Sequence, residues 1–257
     1  MARAPAQLQR RLPPFFPPSE IPRSAGDMVL AGLLAYIDPS DSTRLAQSSG
    51  SVDSIQSTSG TDLYAQTGSN RPTYDGTVIN GKPGITLASA SSQYLKDDTS
   101  DAAPQASNNG AYSLYMVIKP SSIVSKQFLA LKKNSPNNYV GHGFDASGRL
   151  IVARGAAGVT NNIATGAAVS AALHLVSITY DGATVNGWVD GTLNINAVSA
   201  GSSVGSIDAL AYGTGWYSSA PSQPMDGSLG RMLLYAGAHS TGVRQAIEVW
   251  LRGYYGF

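Results

Sequence analysis

Residues 173–196, LHLVSITYDGATVNGWVDGTLNIN, constrain the fold more than any other part of the sequence. They contain three short runs rich in β-branched and aromatic residues, separated by Asp181-Gly182 and Asp190-Gly191. Asp-Gly pairs accept the positive φ that tight two-residue hairpins require. The stretch therefore predicts three consecutive antiparallel strands.

Further apolar runs of strand length alternate with turn signals along the rest of the chain. They cover residues 29–37, 112–120, 127–133, 148–154, 208–213 and 228–236. Charged residues make up only 13 % of the 257 residues, about half the usual share, which suits a turn-rich sheet protein better than a helical bundle. We therefore expect an all-β fold, a two-sheet antiparallel jelly-roll sandwich.

One helix is predicted near the end of the chain, over about residues 241–252. Ser240 or Thr241 can cap its first turn, and Glu248 stands four residues before Arg252, a favourable spacing for an ion pair. Its apolar stripe consists of Val243, Ile247, Trp250, Leu251 and Tyr254. The helix should lie against the sandwich, where Trp250 is buried; Trp188 is also assigned to packing.

The first 26 residues differ from the rest and are predicted to form an extended arm ahead of a sandwich domain at 27–257. Residues 10–26, RRLPPFFPPSEIPRSAG, hold five prolines and two adjacent phenylalanines. Such a segment cannot bury enough apolar surface to fold alone. We expect it to dock onto a partner, because polyproline-type segments fit grooves well. Its anchoring residues would be Arg10, Arg11, Leu12, Phe15 and Phe16.

Several ordered segments of the chain resemble the concanavalin A-like lectin/glucanase domains. The likeness is to the laminin-G-like variety found in tailed-phage virion proteins and bacterial surface proteins. It rests on residues 33–45, 70–87, 92–95, 112–120, 174–193 and 226–256. The resemblance implies a jelly roll of two antiparallel sheets, but fold alone does not imply catalysis.

The small number of glutamates argues against a glycoside hydrolase. Glycoside hydrolysis needs two carboxylates flanking the scissile bond, and glucanases of the resembled fold carry them on one strand. This chain has only two glutamates, Glu20 in the arm and Glu248 in the predicted helix. We expect no catalytic residues; a hydrolase using paired aspartates remains a remote alternative.

No cofactor is expected, and metal binding is at most weakly indicated. The chain has no cysteine, and His142, His174 and His239 are widely spaced, without the rhythm of metal ligands. His174 would lie on a strand, facing solvent or a packed edge. A calcium loop could be built from Asp97, Asp98 and Asp101, but a solvated acidic loop is the preferred interpretation.

Two polar loops carry the residue types that bind sugars. Aromatic rings stack on sugar faces, and amides and hydroxyls hydrogen-bond to sugar hydroxyls. The candidates are Asn137, Asn138 and Tyr139 in one loop and Tyr212, Trp216 and Tyr217 in the other. A Trp-Tyr pair in a loop rich in Gly, Ser and Pro has few local apolar partners, so we expect exposure and contact with a glycan or a protein partner.

These features together favour a non-enzymatic structural protein of a tailed-bacteriophage virion, as a head-decoration, head-fibre or tail-spike component. The arm would attach it to other virion proteins and the lectin-like domain would bind glycans. The alternative is a free carbohydrate-binding module or bacterial surface adhesin. We expect a homo-oligomer.

Charge and hydropathy exclude other partner classes. A net charge of +1 gives no reason to expect nucleic-acid binding. The longest apolar run, residues 28–37, is about half the length that a membrane helix needs. We expect production in a host cytoplasm, without signal peptide or transmembrane segment, and assembly into the virion.

Overall fold

The computed structural model describes residues 32–57, 62–65, 70–97, 110–123, 126–132, 139–156, 159–201, 209–217 and 220–257. The predicted arm lies outside this part of the chain, with all of its proposed anchors, Arg10, Arg11, Leu12, Phe15 and Phe16.

The described residues form 19 strands, a 3₁₀ turn at Ser89–Ser91 and one α-helix, α1, at Thr241–Tyr255. The strands are β1 Leu33–Ile37, β2 Leu45–Ser48, β3 Ser51–Gln56, β4 Asp62–Ala65, β5 Thr73–Ile79, β6 Lys82–Leu87, β7 Leu95–Asp97, β8 Tyr112–Ser122, β9 Lys126–Lys132, β10 Tyr139–Phe144, β11 Leu150–Ala156, β12 Val159–Ile163, β13 His174–Tyr180, β14 Thr184–Val189, β15 Thr192–Ser199, β16 Ala209–Tyr212, β17 Gly215–Tyr217, β18 Ala220–Ser222 and β19 Asp226–Ala236.

The strands pair into two antiparallel sheets that pack as a sandwich. The sheet that carries α1, called here the helix-side sheet, has the order β5–β6–β19–β8–β13–β14–β15, with β1 also paired to β19. The other sheet, called the far sheet, has the order β2–β3–β4–β7–β16–β9–β10–β11–β12. A single pairing of Ser51 with Thr73 joins their edges, and β17 and β18 form a separate hairpin. The predicted two-sheet fold is confirmed.

Strand β8 shows why the helix-side sheet is buried on both faces. Side chains alternate along a strand, so successive residues enter different layers. Leu114 and Met116 belong to the core between the sheets, whereas Tyr115 and Val117 belong to a second core beneath the helix, and all four are fully buried. Each such side chain contributes about 1.5–3 kcal/mol of hydrophobic stabilisation.

Helix α1 lies over the helix-side sheet, where Ile247, Leu251 and Tyr255 are buried beneath it. The Ser240 hydroxyl accepts a hydrogen bond from the Val243 backbone nitrogen at 3.4 Å, which confirms one of the two predicted caps. The helix ends three residues later than the predicted 252, at a left-handed C-cap on Gly256.

The predicted Glu248–Arg252 ion pair is wrong. Glu248 instead accepts a hydrogen bond from Arg244, with 2.5 Å between Arg244 Nη1 and Glu248 Oε1. The Arg244 guanidinium also stacks on the Trp188 ring at 4.2 Å. Glu248 therefore pairs with Arg244, whose guanidinium lies on Trp188 of the sheet, and not with Arg252, the partner predicted from helix spacing.

Both Asp-Gly hairpins predicted from the sequence are present. The first joins β13 to β14 and the second joins β14 to β15. In the second turn Asp190 and Gly191 have φ of 53° and 77°, the positive values that a type I′ turn demands.

Candidate functional site

The outer faces of the two sheets differ in what covers them. Among the described residues, helix α1 packs on the helix-side sheet and the β17–β18 hairpin packs on the far sheet. Nine residues form one cross-strand row over all nine strands of the far sheet: Ala46, Ser54, Tyr64, Lys96, Ala211, Ala130, Gly141, Ala153 and Asn162.

The centre of this row is built from small residues. Ala211, Ala130, Gly141 and Ala153 are consecutive across four strands, and the three alanines are at most 3 % exposed. The ring of Tyr94, itself 7 % exposed, packs on Ala130 and Ala211. Small side chains keep the sheet surface low, so other parts of the chain can lie close above it.

The hairpin of β17 and β18 lies against β9 and β10 on this outer face. Gln127 of β9 makes two hydrogen bonds to Gln223, the residue after the hairpin. The Gln127 backbone nitrogen donates to the Gln223 carbonyl at 2.9 Å, and Gln127 Nε2 donates to Gln223 Oε1 at 2.8 Å. Gln127 also forms an isolated parallel β-bridge with Pro224. These contacts fix where the hairpin leaves the sheet.

Two glycines make room for the Gln127 side chain. A Cβ atom at Gly141 would lie 2.3 Å from Gln127 Oε1, and one at Gly215 would lie 2.2 Å from the same atom. Gln127 is therefore clamped between the two backbones, an arrangement called here the glutamine clasp. Gln127 Oε1 is buried and has no hydrogen-bond partner among the described residues.

The sequence did not point to Gln127, Gly141 or Gly215 as site residues. Residues 139–144 were predicted as part of a polar loop, whereas the structure makes them strand β10. Its glycines, Gly141 and Gly143, become a signal only once the strand is known, because a glycine inside a strand often marks close approach of another backbone. A single sequence does not say which other segment makes the approach.

Part of the predicted sugar-binding set lies on this face. Tyr139 begins β10 and alternates with the inward-pointing Val140, which places it on the outer side with Gly141. Trp216 and Tyr217 lie in β17, but their side chains are not among those the structure describes, and Asn137 and Asn138 lie outside the described residues. Tyr139 is only 7 % exposed, so its ring is covered, contrary to the predicted exposure.

Tyr212 lies on the opposite side of the far sheet, and its predicted exposure is wrong. The residue is fully buried between the sheets, and its hydroxyl donates to the Gly230 carbonyl at 2.6 Å. Burial raises the pKa of this phenol well above its usual value. Tyr212 points inward because it is in phase with the core residue Leu210, two positions earlier in β16.

The three histidines are each engaged within the fold. His142 is fully buried, with its Nε2 3.0 Å from the Tyr112 hydroxyl, and burial lowers its pKa to about 3. His239 Nδ1 lies 3.0 Å from the Tyr115 hydroxyl. His174 is buried beside Asp190 at 2.7 Å and does not face solvent. Their separate partners place them in different parts of the structure.

The aspartate side chains that form hydrogen bonds among the described residues serve turns, loops and ion pairs. They are Asp38, Asp41, Asp53, Asp75, Asp145, Asp181, Asp190 and Asp226. Within the described ranges, no three His, Asp or Glu side chains are grouped closely enough to hold a metal ion. The weak calcium candidate stays a prediction, because Asp98 and Asp101 lie outside those ranges and the Asp97 side chain is not described.

No protein-family model and no curated protein sequence matches the chain. Solved structures share its fold. Domain 4 of AbnA, a GH43 extracellular arabinanase from Geobacillus stearothermophilus in complex with arabinotriose, is 16 % identical with a TM-score of 0.57; the match covers 84 % of this chain and 98 % of that domain.

Two larger proteins are similar over part of their length. The binding domain of botulinum neurotoxin serotype D has 9 % identity and a TM-score of 0.54, with 87 % of this chain and 51 % of that one covered. Trypanosoma rangeli sialidase with the inhibitor DANA has 14 % identity and a TM-score of 0.50, with 85 % and 33 % covered. At these identities the likeness establishes the β-sandwich fold. The described part of the chain contains no helix with the length and hydrophobicity that crossing a membrane requires.

Proposed function

We propose that this protein is a non-enzymatic carbohydrate-binding β-sandwich domain. The glycan would be received on the outer face of the far sheet, beside the β17–β18 hairpin. The observation that carries the proposal is the fold likeness to domain 4 of AbnA, a domain matched over 98 % of its length whose structure holds arabinotriose.

The geometry of the far sheet supports this choice of face. The glutamine clasp sets the position of a hairpin that includes Trp216 and Tyr217, residue types suited to stacking on sugars. Gln127 Oε1 itself is buried between the two backbones, so the part of Gln127 in this site is to hold the hairpin in place. The small residues of the central row are themselves covered, so the glycan would contact the hairpin rather than the row.

The described carboxylates support a role without catalysis. A glycosidase needs one carboxylic acid and one carboxylate facing each other across the substrate. Glu248 is buried in an ion pair with Arg244 on the helix side, remote from the far sheet. Asp145 and Asp181 accept hydrogen bonds from the backbone of their own turns. These engagements suit structural roles.

Glycan binding is tested by presenting the full chain to a panel that includes arabino-oligosaccharides and sialosides. Trp216→Ala should weaken binding to the best ligand by about tenfold or more, as truncation of a central aromatic anchor does. The matched control is Phe257→Ala, which removes a 39 % exposed ring at the end of the helix. It should leave affinity unchanged. Absence of binding to every glycan, or equal losses for the two variants, contradicts the proposal.

We further propose that residues 1–26 attach this domain to a tailed-bacteriophage virion, as a head-decoration, head-fibre or tail-spike component. The supporting observation is the composition of the arm, with five prolines, Phe15-Phe16 and an excess of arginine in residues 10–26. Such a segment is suited to docking in a groove of another protein. The competing interpretation is a free module or surface adhesin in which the same residues are a linker.

A truncation separates these interpretations. A chain lacking residues 2–24 should remain folded by circular dichroism, because β1 begins at Leu33. It should bind glycans as the full chain does but should be absent from purified particles that contain the full chain. Incorporation of the truncated chain at the normal level contradicts attachment through the arm, while glycan binding is measured independently of that result.

A further inference from the structure

Strand β15 forms an edge of the helix-side sheet, and its sequence carries none of the residues that usually protect an edge. Among the described strands it pairs only with β14. Its eight residues, TLNINAVS, include no charged side chain and no proline. Those residue types commonly prevent the exposed backbone of an edge from pairing with a further strand. Protection of β15 therefore has to come from its backbone or from another part of the chain.

Residues 164–173, called here the edge strap, connect β12 of the far sheet to β13 of the helix-side sheet and contact the backbone of β15. The Thr165 hydroxyl donates a hydrogen bond to the Asn194 carbonyl at 3.0 Å. A Cβ atom at Gly166 would lie 2.6 Å from the same oxygen and 2.8 Å from the Asn194 Cα atom. Gly166 does not have a positive φ, so this close approach, and not the backbone conformation, requires glycine.

The edge strap is also attached to the sandwich beyond Gly166. The Val169 backbone nitrogen donates to the Gly148 carbonyl at 3.0 Å, and the Val169 side chain packs against the core between the sheets. The Ser170 carbonyl oxygen lies 2.9 Å from Nε2 of His174, the first residue of β13. The strap is therefore held beside β15 by contacts that do not involve β15.

The register of β15 against β14 shifts twice, and at each shift a backbone group of β15 is bound by a side chain. One shift skips Asn194, whose carbonyl accepts the hydrogen bond from Thr165. The other skips Ala197, which has a φ of 47° and donates its backbone N–H to Asn186 Oδ1 at 2.8 Å. Irregularities of this kind, like a covering loop, hinder the addition of a further strand to an edge.

We propose that the edge strap and Asn186 protect β15 from pairing with β15 of a second copy of the chain. An antiparallel pair of identical strands has two-fold symmetry, the commonest symmetry of protein dimers. Because β15 is uncharged, no like charges would oppose such a pair. Without the strap, the helix-side sheets of two copies would be able to join edge to edge, which is the association that the strap prevents.

Displacing the strap tests the proposal. In the full chain, Gly166→Val puts a branched side chain where a single Cβ atom already lies within 2.8 Å of the Asn194 backbone. Sedimentation velocity should show self-association that is stronger than that of the unaltered chain by about tenfold or more. Gly76→Val, on β5 at the opposite edge of the sheet, is the matched control, because the nearest atom to its Cβ position is 4.0 Å away. It should leave self-association unchanged.

Adding Asn196→Lys to the Gly166→Val chain identifies the interface. Lysine commonly protects edge strands, and the lysines of two copies would repel each other across a β15–β15 pair. The added lysine should return self-association to the level of the unaltered chain. A folded Gly166→Val chain that associates no more than the Gly76→Val control, or an association that the lysine leaves unchanged, overturns the proposal.

Thr165→Val decides the case if the Gly166→Val chain does not fold, as judged by circular dichroism. It removes the hydroxyl bound to Asn194 and keeps the shape of the side chain. Hydrogen exchange of the backbone amides of residues 193–197 should become faster at low protein concentration, where the edge is opened, and slower at high concentration, where it is paired. Exchange rates equal to those of the unaltered chain at both concentrations overturn the proposal.

Discussion

The two outer faces of this sandwich are closed in different ways. The helix-side sheet is covered through buried charges and large rings, which hold α1 in place. The far sheet has small residues at its centre and is approached by a hairpin clasped through one glutamine. Buried, paired charges hold α1 on the sheet, because removing one partner would leave the other charge buried and would lower the stability of the fold. We place ligand binding on the far sheet because the hairpin on that face carries Trp216 and Tyr217.

The strongest element of the helix-side face is the ion pair of Arg231 and Asp38. Arg231 Nη2 lies 2.9 Å from Asp38 Oδ2, and both side chains are largely buried, with 6 % and 11 % exposed. The Tyr36 hydroxyl donates to the same carboxylate oxygen at 2.7 Å, and the Arg231 guanidinium stacks on the Tyr254 ring at 3.5 Å. One side chain thus joins β19, the residue after β1 and the helix.

Arg231→Ala should produce the largest loss of stability. It leaves the Asp38 carboxylate buried without its cation, and breaking a buried pair in this way costs about 3–5 kcal/mol. The free energy of unfolding from urea titration measures the effect. The control is Arg149→Ala, whose partner is Asp145 and whose side chain is 41 % exposed, with an expected loss below about 1 kcal/mol. Equal losses of stability for the two variants would contradict the conclusion that the Arg231–Asp38 pair is a main contact joining β1, β19 and the helix.

The buried, uncharged His142 of the far sheet predicts a loss of stability in acid. His142, on the far sheet, stays uncharged when folded because burial lowers its pKa to about 3, whereas an unfolded histidine takes up a proton near pH 6.5. Stability should therefore fall as pH drops below about 6.5, by about 1.4 kcal/mol per pH unit until the pH nears 3. Urea titrations at several pH values measure the slope. His142→Phe should remove this contribution, and an unchanged slope in that variant contradicts the prediction.

The glutamine clasp of the far sheet predicts a smaller loss. Gly141→Ala places a Cβ atom 2.3 Å from Gln127 Oε1, so the amide must move away from Gln223. Overpacking of this kind costs about 1–3 kcal/mol. Gly76→Ala is the control, because the nearest atom to its Cβ position is 4.0 Å away. Glycan affinity should fall in the first variant only; unchanged stability and affinity in Gly141→Ala contradict the clasp.

The sequence predicted those elements whose local pattern and tertiary environment agree. The two Asp-Gly hairpins, the long strand β8 and the capped helix all have apolar residues at the spacing that their structure requires. Strands β2 and β5 were not predicted, because their residues are mostly polar and exposed, and pairing with neighbouring strands determines them instead.

The candidate site was less predictable than the fold. Tyr212 lies in an apolar run just before a glycine-rich loop, and it faces the core because it alternates in phase with Leu210 in β16. Gln127, the residue held in the glutamine clasp, is hydrogen-bonded to Gln223, 96 positions away in the sequence. No local sequence pattern predicts this contact. Side chains of this kind acquire their roles only when distant strands have paired.

The smallest expected effect concerns His174 of the helix-side sheet, whose pKa is raised, in contrast to His142 of the far sheet, whose pKa is lowered. His174 Nδ1 lies 2.7 Å from Asp190 Oδ2 and its Nε2 lies 2.9 Å from the Ser170 carbonyl oxygen. Both ring nitrogens face acceptors, an arrangement that suits the doubly protonated ring. The hydrogen bond to Asp190 raises the pKa of His174 above its usual 6.5.

Because the folded pKa of His174 is raised, its stabilising contribution is complete below pH 6.5 and is lost as pH rises through the folded value. The expected loss is below about 1 kcal/mol, since the Asp190 partner is 38 % exposed and partly screened by solvent. A two-dimensional NMR titration of the imidazole measures the pKa, and urea titrations between pH 6 and 9 measure stability. His174→Gln should abolish the alkaline loss. A His174 pKa below that of an unfolded histidine would give both sheets neutral histidines and remove this part of the contrast between them.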